Sequence, residues 1–289
     1  MPRAADPCVT SPNYVYDEAM LHYVRIATLL AIASLCVQAQ WLHNPDPKAP
    51  RTADGKVDMA GPVPHVAGKP DLSGVWQIEG GPRGPGLYGL GESTNSPFFG
   101  NILAGFKPDE QPLTPAGAER FRKNREGTGT KNPQSYCLPD GVPHGILLPE
   151  PFKIIQMPVE TLFLYEVETI FRQIYTDGRK LPNPDDVRPT WYGYSVGRWD
   201  GDTFVVDTLG FNALGWLDAG GHGHSEDLRV QERFTRRDFG HIDVAVTITD
   251  PKTFTKSFTI NFVERLLPDT DVFEHICAED EKDVAHTPK

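Results

Sequence analysis

Positive charge is what this 289-residue chain has too little of: 28 Lys and Arg face 39 Asp and Glu, a formal net charge of −11. Without surplus cation it cannot offset a phosphate backbone or an anionic lipid surface, which excludes nucleic acid and membrane surfaces as main partners. It also has no Gly-rich loop of the kind that cradles a dinucleotide or phosphate, so no nucleotide cofactor is expected. No apolar run is long enough to span a bilayer. Gly and Pro, by contrast, are plentiful at 27 each, the composition of a chain with many turns, which points away from a helical bundle.

The longest apolar run, Ile26 to Val37, follows His22 and Arg25 and ends in Val37-Gln38-Ala39. Residues 20–39 therefore read as a signal peptide cleaved before Gln40, inside a leader of residues 1–39 that starts at Met1 or Met20. The expected location is periplasmic or secreted. A competing reading, an anchor lipidated at Cys36, meets a bulky Leu35 where such sites take a smaller residue. Cleavage removes Cys8 and Cys36, leaving Cys137 and Cys277 as an even pair in an oxidising compartment, where a disulfide is expected.

Residues 40–70 are a Pro/Gly-rich arm without apolar periodicity. The first strand signal is Asp71 to Ile78, and residues 71–289 read as a single domain with a loop and helix insertion over 79–150. One helix is announced in that insertion by Thr114 as N-cap and Pro115 at the first position of TPAGAERFRKNRE. From Phe152 the text becomes strand after strand, ending in DVFEHIC at 271–277, with turns at Asp177-Gly178, Asp200-Gly201, Phe239-Gly240 and Asp250-Pro251. The fold class is mainly β: an antiparallel up-and-down meander closing as a lipocalin-like barrel or, as the alternative, folding over as a β-sandwich.

Gly193-Tyr194-Ser195-Val196-Gly197 matches the nucleophile pattern G-x-S-x-G, with Asp207 and His222 following in hydrolase order. That motif needs a strand-to-helix turn, whereas Ser195 lies mid-strand. Counting back from the Asp200-Gly201 turn pairs Ser195 with Val206 and puts Ser195 and Asp207 on opposite faces. The glycine-flanked His222-Gly223-His224 is the stronger candidate. In the strand that follows, Leu228, Val230, Glu232 and Phe234 share one face, so Glu232 is a carboxylate among apolar residues and needs a cation or a proton. His222, His224 and Glu232 together resemble a two-histidine, one-carboxylate set for a divalent transition metal of open identity. Two simpler readings stand beside it: Glu232 pairs with Lys256 or Arg172, or His222 or His224 acts as a metal-free base oriented by Glu232 or Asp218. His144 is a further candidate ligand, although a lone loop histidine is more often exposed. Trp191, Trp199, Phe204, Trp216 and Phe258 line a ligand cavity or belong to the core.

Four segments, WYGYSVGRWDGDTFVVDTLGFN (191–212), GHGHSEDLRVQERF (221–234), CLPDGVPHG (137–145) and RQIYTDGRKLP (172–182), resemble a family of uncharacterised secreted proteins of soil bacteria such as acidobacteria. The resemblance covers most of the chain from Asp71 and implies secretion. It brings no activity with it, so no site residue is taken from it. The functional expectation from the residues themselves is a hydrolase, lyase or isomerase with a His/His/Glu site acting on a small-molecule or carbohydrate-like ligand. The alternatives are a lipocalin-like binding protein without catalysis, and an interaction module whose arm docks an unknown protein.

Overall fold

The computed structural model describes residues 46–80, 97–126 and 131–277, all within one compact unit spanning residues 43–289. The expected signal peptide lies outside the described residues. Among those residues no helix is long and apolar enough to cross a membrane.

Two short strands, β1 (His65–Val66) and β2 (Lys69–Pro70), form a small hairpin. The remaining nine close into a barrel: β3 (Gly74–Ile78), β4 (Phe152–Gln156), β5 (Glu160–Tyr165), β6 (Ile170–Tyr175), β7 (Tyr194–Asp200), β8 (Thr203–Leu209), β9 (Arg229–Arg236), β10 (His241–Thr249) and β11 (Phe258–Leu266). The barrel is therefore the solution taken, and the sandwich is not. Burial alternates along β9 and β10 as the period-2 pattern requires. Trp76, Phe152, Phe163, Phe204 and Phe234 fill the interior.

The meander has one exception. β6 and β7 are parallel, sharing only the pairs Ile174–Ser195 and Tyr175–Val196. Residues 176–193 must carry the chain back along the barrel, and their proline-rich text holds no strand to do so antiparallel. DVFEHIC is not a strand either. It is coil fastened by the Cys137–Cys277 disulfide and by Lys153, which bonds Asp271. Residues 40–70, expected as an arm, are in their described part docked on the β9–β10 hairpin, where Phe239 N and Gly240 N donate to Gly61 O and Met59 O.

Strand direction decides where the long connections go. β3, β5, β8 and β10 all run toward one end, so residues 79–151, 210–228 and 250–257 leave the barrel on the same side. Among the described residues the insertion carries three short α-helices, α1 (Pro97–Gly100), α2 (Pro115–Asn124) and α3 (His144–Leu147). α2 is the helix expected from sequence, with Gly117 N donating to the Thr114 hydroxyl at 3.0 Å. Gly117 lets it lie directly on the Thr253 carbonyl of the 250–257 connection, where a Cβ would collide. The opposite end has short turns and is plugged by Arg236, whose guanidinium donates to the Asp71 and Phe239 carbonyls and lies 5.0 Å from the Trp76 ring.

Candidate active site

The two histidines of the GHGH segment, on the β8–β9 connection, have different surroundings. Trp216 and Gly223 form a bridge and Leu217 N donates to His222 O, closing a loop with Asp218 at its centre. Gly221 turns this loop at φ 103°, and Gly220 passes so close to the Gly100 carbonyl that no side chain fits. The Asp218 carboxyl group accepts from the backbone N–H of Ile102 (2.5 Å), Gly221 (2.9 Å) and His222 (3.0 Å). It also accepts from His222 Nδ1 at 2.5 Å. Three of these donors are backbone N–H groups that can only donate, so the Asp218 carboxylate is an acceptor, and it favours the tautomer of His222 with its proton on Nδ1 and its lone pair on Nε2. The His222 ring stacks on Phe121 of α2, centroids 4.0 Å apart at 10°. Its Nε2 is buried and has no hydrogen-bond partner among the described residues.

His222 stands in the wall of a cleft of about 600 Å3, shared with Asn101, Phe121, Asn124, Arg125 and Trp216. Asn124 bonds the Gly221 carbonyl at 2.9 Å, tying α2 to the histidine loop. His224 turns the other way. Its Nδ1 donates to the Ser225 carbonyl (3.0 Å) and its ring meets Phe211 edge-on. Burial holds its pKa below the usual histidine range, so it stays neutral.

A second histidine–aspartate pair lies in the same cap. His144 opens α3 with Nδ1 3.4 Å from Asp140 Oδ1, and both side chains are almost fully buried. Burial pushes the His144 pKa down to about 4, against the pull of the Asp218 charge. Burial also drives the Asp140 carboxyl well above the usual carboxylate range, helped by Glu168 and Glu150 and opposed by Gln134. Burial thus pushes both members of the pair toward their uncharged forms.

Glu232 is on the interior face, as its strand pattern requires, but its charge is met by Arg172 on β6: Nη1 donates to Oε1 (3.0 Å) and Nη2 to Oε2 (2.5 Å). Arg172 also donates to the hydroxyls of Ser195 (3.1 Å) and Thr208 (2.9 Å). This bidentate pair occupies both carboxylate oxygens. His222, His224 and Glu232 are consequently not gathered into one set, and among the described residues no three His, Cys, Asp or Glu side chains stand where one metal ion could be shared. Ser195 is buried inside the barrel, paired with Thr208 and not with Val206, while Asp207 faces outward opposite Val196. The two residues do lie on opposite faces, with a register two residues away from the simple count.

Comparisons with protein-family models, with curated proteins and with solved structures each find no match to this chain. The site therefore stands on its own geometry.

Of the aromatic residues expected at a ligand cavity, Trp216 lines the cleft and Trp191 lines a smaller cavity of about 290 Å3 where β6 and β7 splay apart. Phe204 and Phe258 are core, and Trp199 covers Phe204 with centroids 5.2 Å apart. His144 is buried where a lone loop histidine was expected to be exposed. Asp140, Phe121 and Arg125 were not legible as site residues. The one available signal was the D-x-x-x-H spacing, shared by Asp140–His144 and Asp218–His222.

Proposed function

We propose that the protein is a periplasmic or secreted enzyme working by acid–base catalysis, with His222 Nε2 as its base, in hydrolase, lyase or isomerase chemistry on a small molecule held in the cleft. The observation that carries this reading is the 2.5 Å contact of His222 Nδ1 with Asp218 beside a buried, unpartnered Nε2, on a residue that lines the cleft. Asp218 supplies two things: it fixes the tautomer that leaves Nε2 free to take a proton, and it stabilises the imidazolium formed once the proton has moved. The face of Phe121 against the ring favours the same charged state. Asn124 and Asn101 offer amides to orient a substrate carbonyl or hydroxyl. Glu232 takes no part in this mechanism, because Arg172 holds both of its carboxylate oxygens. The Cys137–Cys277 bridge supports an oxidising compartment.

The test is turnover of a panel of p-nitrophenyl esters and p-nitrophenyl glycosides by wild type and His222→Gln. Acid–base catalysis supplies about 10²–10⁴-fold in rate, and kcat/KM should fall by that much while the melting temperature changes little. A panel left untouched by the wild type, or turned over equally by His222→Gln, would overturn the reading.

A further inference from the structure

The cleft beside His222 has an electrostatic character that runs against the rest of the molecule. Among its described lining residues none is an acid, and Arg125 alone carries a permanent charge, in a chain with a net charge of −11. On the same helix Arg122 is held by Glu119 and Glu126. Arg125, one turn on, has no ion pair among the described residues and lies 5.4 Å from the Phe121 ring centroid. Phe121 is the ring on which His222 stacks. A cation, an aromatic platform and a base with an unpartnered nitrogen are thus assembled around one cleft, with amides from Asn101, Gln111 and Asn124 between them.

We propose that the substrates of this site are small carboxylates, bound by a two-pronged contact of the carboxylate with Arg125, with the body of the molecule against Phe121 and Trp216 and the reacting bond several atoms away at His222 Nε2. This rests on the acid–base reading of the same cleft. A single guanidinium presents a planar fork that matches one carboxylate, whereas a phosphate dianion calls for more cation than the cleft holds. Phe121 and Trp216 offer apolar ring surface in the same cleft, which favours an aromatic or short-chain acid over a compact one such as acetate.

The experiment is a titration of the full chain with benzoate, benzamide and inorganic phosphate, followed through the imidazole resonances of His222, assigned by their loss in His222→Gln. Benzoate should bind roughly tenfold or more tightly than benzamide, the difference made by one charge-assisted pair. Arg125→Gln should remove that advantage and leave benzamide unchanged, and Arg125→Lys should restore only part of it, because an ammonium cannot make the planar two-pronged contact. Equal binding of benzamide, preference for phosphate, indifference to Arg125→Gln, or failure of all three probes would each overturn the proposal. The two readings fail separately. Turnover that depends on His222 but not on substrate charge removes the carboxylate proposal and keeps the base; benzoate binding that depends on Arg125 without any turnover does the reverse.

Discussion

The β8–β9 connection and the β3–β4 insertion each deliver an aspartate and a histidine four residues apart to the same end of the barrel, with different hydrogen-bond surroundings. In Asp218–His222 the carboxyl group accepts from three backbone N–H groups as well as from the ring. In Asp140–His144 the Asp140 Oδ1 has no hydrogen-bond partner among the described residues and burial pushes both groups toward their uncharged forms. Residue types and spacing are the same; the supply of backbone donors is not. What separates the two pairs is the fold of the loop around each carboxyl group, and the proposed base belongs to the pair that this loop supplies with donors.

The sharpest way to break this comparison is to remove each carboxyl group in turn. Asp218→Ala should cost about 3–5 kcal/mol, the scale of leaving buried donors without their charged partner. Asp140→Asn should instead stabilise the protein at neutral pH, since burial favours the protonated carboxyl in the folded state while the unfolded chain carries it ionised. Urea unfolding of the two variants reads both, and equal losses would erase the distinction. Next in size is the disulfide. Cys137 lies three residues before Asp140, and the bridge closes a loop of 140 residues, so Cys137→Ser/Cys277→Ser should lose about 2–4 kcal/mol. Hydrogen exchange should then rise around 132–148 and stay low around 216–223, which is tied instead to Ile102 and Asn124.

The pH dependence sharpens the same comparison. A histidine whose folded pKa is lowered to about 4 from 6.5 leaves the folded state with fewer protons than the unfolded chain between those values. Stability therefore rises with pH through that window and is lost as pH falls from about 6.5 toward 4. Asp140 has the opposite sign: its folded pKa is raised, so its contribution is complete below the unfolded carboxylate pKa and is lost as pH rises through the folded one. His144→Gln should flatten the acid flank of a stability–pH profile and Asp140→Asn the opposite flank. A His144→Gln profile superimposable on wild type would show that His144 is not held neutral by burial.

The barrel interior repeats the lesson. Glu232 and Glu264 both face inward from neighbouring parts of the wall. Glu232 meets Arg172, whereas Glu264 has no partner for either oxygen among the described residues and burial raises its pKa well above the usual range. From the strand text both are only carboxylates on apolar faces. Arg172, weighed from the sequence as one of two cations for Glu232, proved to be the one because β6 faces β9 across the barrel, while Lys256 sits on the surface beside Phe106.

Local chemistry was enough to announce the strands, the α2 helix with its Thr114 cap, the turns, the two cysteines that bridge, and His222 as a residue of interest with Asp218 among its orienters. These follow from residue period, from φ preferences and from spacing along one segment, all of which are properties of neighbours in the chain. The parallel β6–β7 pair, the docking of residues 46–70 and the coil at 271–277 were decided by closure of the barrel. So was the membership of the site. Phe121, Arg125, Asp140 and Ile102 reach His222 and its neighbours from another connection, and only the common direction of β3, β8 and β10 puts those connections on one end. Gly221 and His222 bond Asp218 from within its own loop, but the Ile102 bond spans 116 residues of chain and Phe121 reaches the ring from another connection, and a pattern read along the chain carries no information about such approaches.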